Sequence, residues 1–392
     1  MAQLYGDNLT RREISRRSGM LSQFGGVRLM ELGDGVERGV RLLEFRTGAG
    51  LRFTVLIDRA FDIADLEYNG AAVGWHSPSG FRNPGLHEYE GEGGLAFLRS
   101  FSGLLVTCGL DHTLFMHSDS AEHYIYKPRR SVESSLHGRI STIPGKLVAY
   151  GEKWEGEECV LYCEGVVQQS AVFGEDLYLY RRIETRLGAK DLIIKDRVVN
   201  HGFYRTPHML CYHINVGYPV LAEGSLYVAP IKEVLWAAHE ATYEKQEVGY
   251  RVLSGPKTSF HEQVWEHRMS ADAEGKIPVA LINDKFRNSE GLGFLVEVNE
   301  KEFPCQFQWQ NLQEGQYAMG IEPSTNHVLG KGFAKERGEL IWLEHDDERS
   351  YTSRLTVLSG RDEINQVKRR IQSICGQSEE DFPKPTANWQ HR

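Results

Sequence analysis

An alternation of apolar and polar residues at a period of two dominates the middle of this chain and leaves few folds open to it. Residues 177–187 read LYLYRRIETRL, Gly188-Ala189-Lys190-Asp191 supply turn chemistry, and residues 192–200 read LIIKDRVVN. Successive side chains of a strand point to opposite faces, so this pattern predicts an antiparallel hairpin. Similar β-rich runs lie at 52–57, 147–150, 159–167, 293–298 and 340–343. Helical spacing emerges only at 362–375, where Ile364, Val367, Ile371 and Ile374 recur at intervals of three and four. Together these signals predict an all-β chain, a large antiparallel sandwich with few short helices. No strand leads into a G-x-G-x-x-G turn and helix, and no P-loop pattern occurs, which disfavours a doubly wound nucleotide-binding sheet.

The chain is long enough to bury one large core: 392 residues, 41% of them hydrophobic. Its 40 glycines and 13 prolines are dispersed, and neither a linker, a low-complexity segment nor a fixed-period repeat divides it. We expect one domain over 26–375. Before it, residues 1–25 form an arm carrying Arg11, Arg12, Arg16 and Arg17, suited to an exposed segment or a short helix; after it, 376–392 form a polar tail. Forty-five basic against 54 acidic residues give 45 − 54 = −9, which offers a polyanion no attraction, so no nucleic-acid partner is expected. The Arg-rich start has no apolar run behind it, and no stretch of about 18 apolar residues occurs, so neither export nor a membrane partner is expected. The expected location is cytoplasmic, with six scattered cysteines as reduced thiols. Cys159 and Cys163 share a strand face without a second ligand pair at zinc-finger spacing, and are read as core.

Three segments put titratable groups inside apolar β patterns, where packing alone accounts for them poorly. These are Ser135-Leu136-His137-Gly138-Arg139-Ile140, the run 206–219 containing His208, His213 and Asn215, and Met319-Gly320-Ile321-Glu322-Pro323-Ser324-Thr325-Asn326-His327. In a strand His213 and Asn215 project together, and His208 points the other way. Taken singly, His213 is as readily a satisfied core histidine, and Glu322 an ion-paired surface carboxylate.

Their order resembles a known family. Tyr-His-Ile-Asn-Val-Gly at 212–217 after Asn-His-Gly at 200–202, His-Gly-Arg at 137–139 and the late Gly-Ile-Glu-Pro at 320–323 resemble the aldose 1-epimerase, or galactose mutarotase-like, superfamily, in its poorly characterised bacterial branch. DRAFDI at 58–63, GWHSPSG at 74–80 and GLLVTCGLDH at 103–112 add to the likeness, which spans about 58–358. The resemblance implies a β-supersandwich with sugar in an open cleft across the large sheet. It also implies an aldose 1-epimerase in which Glu322 is the base, His213 the acid and His137 orients the ring oxygen. Arg59, Asp62 and Arg139 would then recognise hydroxyls, Trp75 stack on a sugar face, and His112, His208 and Asn215 complete the substrate site. No cofactor or metal is implied. The motifs depart from the usual pattern: Tyr212 precedes the histidine, and the His-Gly-Arg run lacks the spacing of His-Gly-x-x-Arg. The expected geometry places Glu322 and His213 opposite each other across a gap one monosaccharide wide.

Two other readings compete. Fifteen histidines, with His112, His137, His208, His213 and His327 near these motifs, allow a divalent-metal site assembled with Glu322 and a metal-dependent sugar isomerase, epimerase or lyase. A carbohydrate-binding protein without turnover is the other. The expected partner is a small sugar, and the open sheet face leaves room for a homodimer.

Overall fold

Strands form where the alternation places them, and they pair in the register that buries one face. In the computed structural model, which describes residues 1–238, 248–376, 380 and 384–388, Asp176–Arg186 and Asp191–Asn200 make an antiparallel hairpin with Ile183 opposite Ile194. Leu177, Leu179, Ile183, Leu192, Ile194 and Val198 all turn inward. The hairpin belongs to an eight-stranded antiparallel sheet ordered Lys146–Glu155, Glu158–Ser170, Asp176–Arg186, Asp191–Asn200, Glu348–Ser359, Leu292–Asn299, Lys276–Asn283, Leu226–Val228.

A larger sheet runs Ile231–Ala237, Gln263–Met269, Cys305–Asn311, Ala318–Ser324, Thr206–Val216, Leu105–Leu110, Asp62–Tyr68, Leu51–Leu56, Arg41–Arg46, Gly26–Glu31, with Ala71–Ala72 and Ile341–Leu343 alongside. The two sheets pack face to face. Phe53, Val55, Tyr212 and Ile214 of the larger and Leu161, Ile183, Ile194, Phe294 and Leu355 of the smaller share one core. Each such side chain contributes about 1.5–3 kcal/mol when fully buried. A charged network crosses this core. Arg181 donates to Asp196 at 2.8 and 2.6 Å within its own sheet, and approaches Asp62 of the other sheet at 3.2 Å. Taking an arginine out of water requires such partners.

The ends are more integrated than their polarity suggests. The arm folds as a hairpin of Ala2–Leu4 and Asp7–Leu9 followed by helix Arg11–Arg17, whose first turn is closed by a reciprocal Thr10–Glu13 capping box. Leu4, Leu9 and Ile14 join the main core, so only one side of the arm is exposed. The helix expected at 362–375 forms as Arg361–Ile374, with Ile364 and Ile371 buried against Ala280 and Leu295 on the outside of the smaller sheet. Of the tail, residues 377–379, 381–383 and 389–392 lie outside the described residues. Thr386 and Ala387 donate backbone N–H bonds of 3.0 Å to Val234 and Leu235, so that part runs along the edge of the larger sheet. All six cysteines are thiols, with Cys159 and Cys163 in the core. No helix among the described residues is long and apolar enough to cross a membrane.

Candidate active site

Strand Thr206–Val216 is buried at every position, because both of its faces are covered. Leu210, Tyr212, Ile214 and Val216 enter the core between the sheets, while Cys211 and His213 point to the outer face. There, segments 75–101 and 114–137 arch over the sheet and enclose a cavity of about 880 Å³. His213, Glu322, His137, Trp75, Phe101 and Trp309 are among its lining residues.

Register brings the two central groups together. Ile214 pairs with Ile321 and Asn215 with Gly320, which sets His213 beside Glu322 on neighbouring strands. His213 Nε2 lies 3.2 Å from Glu322 Oε1, and each residue is 3% exposed. The approach allows charge attraction without the alignment of a hydrogen bond, and Oε1 has no aligned partner among the described residues. This corrects the expectation of a gap one sugar wide: the pair stands side by side on the cavity floor. Room for it comes from Gly320, where a Cβ would fall 2.6 Å from Glu322 Oε1 and 3.2 Å from His213 Cε1.

Hydrogen bonding fixes the imidazole. His213 Nδ1 contacts Asn215 Oδ1 at 2.6 Å, and the Asn215 amide nitrogen donates to Gly103 O at 3.0 Å. An amide oxygen only accepts, so Nδ1 carries a proton and Nε2 faces the carboxyl. Burial, reinforced by Glu262, raises the Glu322 carboxyl to about 8. Burial and the neighbouring His137 push His213 well below the ordinary imidazole range. His137 itself is pushed down to about 3 by burial, with His112 adding to the effect. Near neutral pH the site therefore holds a protonated carboxyl and neutral imidazoles, and the Glu322–His213 pair carries one exchangeable proton.

Aromatic rings wall the pair. Phe101 and Trp309 lie 4.6 and 5.1 Å from the His213 ring, and Phe97 lies 4.9 Å from His137. The Trp309 indole N–H donates to Glu262 at 2.7 Å. His137 adopts a left-handed φ of +60° ahead of Gly138 at +74°, a conformation uncommon for a residue with a Cβ and concentrated at functional sites.

The protonated carboxyl has a consequence for stability. A carboxyl whose folded-state pKa is raised contributes stability fully present below its unfolded value, and loses it as pH rises through the folded value. Glu322→Gln has no proton to lose. Its melting temperature relative to the unsubstituted protein is expected to rise between about pH 6 and pH 9, measured calorimetrically, and an unchanged difference would contradict the buried-carboxyl assignment.

The other residues expected to bind substrate have different surroundings. Asn215 stands behind His213 as its support. Asp62 accepts from Thr107 N–H at 3.1 Å and faces Arg181, so its charge is spent between the sheets. Arg59 is buried and donates to the Ser100 and Ser141 carbonyls. His208, on the opposite strand face, bonds Leu110 O at 2.8 Å and the Tyr351 hydroxyl at 2.7 Å. His112 Nε2 lies 2.8 Å from Phe115 O. Arg139 stacks 4.3 Å above Tyr89 and is drawn to Asp111. None of these six lines the cavity, and each already has protein partners in place of sugar hydroxyls. The metal site expected around Glu322 does not assemble among the described residues. Among the described residues, the group with ligand atoms close enough for an ion is Glu266, Cys305 and His327.

Phe97, Phe101, Phe307, Trp309 and Gly320 were not anticipated. Residues 305–311, CQFQWQN, do carry a signal: glutamines and aromatics alternate, so Phe307 and Trp309 share one face. Phe97 and Phe101 lie in the covering segment, which has no period.

Residues 37–357 match the family model described as a domain of unknown function, DUF4432. A Klebsiella pneumoniae structure named "putative aldose 1-epimerase" superposes with a TM-score of 0.80 at 22% identity, covering 92% of this chain and 91% of that one. A galactose mutarotase-like protein from Clostridium acetobutylicum gives a TM-score of 0.56 at 11% identity, with coverage of 85% and 98%. The fold is thus the galactose mutarotase-like sandwich. A search of curated protein sequences finds no match.

Proposed function

We propose that this chain, which belongs to the DUF4432 family, is an aldose 1-epimerase that interconverts sugar anomers through Glu322 and His213. One observation carries the reading: a buried carboxyl and a buried imidazole 3.2 Å apart on the floor of an aromatic-walled cavity. The name given to the Klebsiella structure points the same way.

Anomer exchange requires one proton to leave the anomeric hydroxyl and one to reach the ring oxygen, so that the ring opens, C1 turns and reclosure gives the other anomer. Both oxygens are bonded to the same carbon. Acid and base that serve them can therefore stand beside each other, as this pair does. The family resemblance assigns the base to Glu322 and the acid to His213, whereas burial keeps the proton on Glu322. These are tautomers of one pair holding one proton. Whichever tautomer reacts, ring opening moves the anomeric proton onto one group and the other group's proton onto the ring oxygen, which leaves the pair as the opposite tautomer; reclosure runs both transfers in reverse and restores it. His137 hydrogen-bonds the sugar near the ring oxygen, and the faces of Trp75 and Trp309 pack on its C–H surfaces.

The test is a proton NMR screen of freshly dissolved sugars for anomer exchange above the uncatalysed rate. Acceleration with at least one sugar is the expected result; binding without acceleration would make the protein a carbohydrate-binding module instead. With an active sugar, kcat/KM should hold through neutral pH and fall as pH rises through about 8, where the pair loses its proton. On the acid side it should persist below the ordinary imidazole range, until His213 takes a second proton. A rate that keeps rising between about pH 7 and pH 9 would contradict the one-proton pair.

A further inference from the structure

We propose that Glu266, Cys305 and His327 form a second site that binds a divalent transition ion of the zinc class. The three residues come from separate elements: strand Gln263–Met269, strand Cys305–Asn311 and the turn after Ala318–Ser324. One ligand atom from each lies within 4.8 Å of the other two. Cys305 Sγ is 3.7 Å from His327 Nδ1, and the same nitrogen contacts Glu266 Oε1. The sheet fixes part of this arrangement. Glu266 is opposite Phe307, so Cys305, two residues before Phe307, is its diagonal neighbour on the same face.

The surroundings resemble those of a metal site. The second carboxylate oxygen of Glu266 accepts the Val328 N–H at 3.0 Å, which aims Oε1 at the cluster. On the far side of the imidazole, His327 Nε2 faces Glu339 Oε2 at 4.0 Å, the outer carboxylate that commonly orients a metal-bound histidine. Glu266 is fully buried and Cys305 is 5% exposed, while the His327 side chain keeps 24% exposure and gives the site a way in. Burying a carboxylate is costly without a positive partner, and an ion supplies more positive charge than an imidazolium.

Donor chemistry selects the ion. Calcium and magnesium take oxygen ligands, whereas a thiolate, an imidazole and one carboxylate suit Zn²⁺ and its neighbours, with the fourth tetrahedral position left to water or another ligand. Binding releases the Cys305 thiol proton and the His327 Nδ1 proton to solvent. Phe307 lies between Glu266 and Glu322 in the strand register, so the ion would sit outside the acid–base pair. The proposal is independent of the anomerase reading.

The experiment uses the full chain without a histidine tag, stripped with chelator and titrated with Co²⁺. One cobalt per chain is expected, with a near-ultraviolet thiolate-to-cobalt charge-transfer band. Cys305→Ser should abolish the band, and Glu322→Gln should keep both band and stoichiometry. Glu339→Gln should keep the band and weaken binding about tenfold, as loss of an outer carboxylate does. Substoichiometric binding, or a band that survives Cys305→Ser, would overturn the proposal. Should Cys305→Ser fail to fold, protection of Cys305 from alkylation by Zn²⁺ in the unsubstituted chain decides: protection supports the site and equal labelling rejects it.

Discussion

Glu322→Gln and His213→Asn should each lower the catalysed rate of anomer exchange about a hundredfold or more, the usual contribution of a positioned general acid or base. Glutamine keeps the size of the carboxyl and can donate a hydrogen bond, but it cannot take and return a proton. Asparagine at 213 removes the ring whose Nδ1 is held by Asn215 and whose Nε2 meets Glu322. Because the two groups share one proton, each is useless without the other. The double variant should therefore lose little beyond either single one, in contrast to the product of two independent losses. Rates come from NMR exchange with an active sugar, and folding is checked by melting temperature. Unsubstituted rates in either single variant would remove that residue from the chemistry, and multiplicative losses would dissolve the pair into two separate contributions.

The strands of this fold were legible because their evidence is local. LYLYRRIETRL has one solution as a strand, and Arg181 falls in the row that buries Leu177, Leu179 and Ile183. What that row could not reveal is the partner on the other sheet. Asp62, expected to recognise a sugar hydroxyl, turns to Arg181 and Thr107. The same limit governs the site. Alternation separates His208 from His213, yet only the stacking of the sheets decides which face becomes core and which becomes cavity floor. Glu322 and His213 lie side by side because Ile214 pairs with Ile321, a register between segments more than a hundred residues apart that no local pattern specifies. Phe97 and Phe101 reach the cavity from a covering segment built of short turns, where aromatic residues carry no period to place them.

That register also gives glycine 320 a role which its place in a strand would not suggest, since glycine weakens strands and persists where something approaches closely. Its neighbours across the ladder are Trp309 and Asn215, and a Cβ at 320 would stand 2.6 Å from Glu322 Oε1. Gly320→Ala is therefore expected to push the carboxyl off its position, since the Trp309 Cβ, 3.2 Å away, closes the other side. A displacement of about 1 Å in a reacting group costs about a hundredfold in rate. The loss should fall chiefly on kcat, because the new methyl meets the Glu322 carboxyl most closely, at 2.6 Å, and the Trp309 Cβ and His213 Cε1 only at 3.2 Å. The backbone at 320 lies outside the left-handed region, so alanine brings no conformational strain of its own. Steady-state kinetics and melting temperature together provide the check. A folded Gly320→Ala protein with an unsubstituted kcat would show that the close approach of Glu322 to His213 is not what the chemistry uses, and the side-by-side mechanism would fall with it.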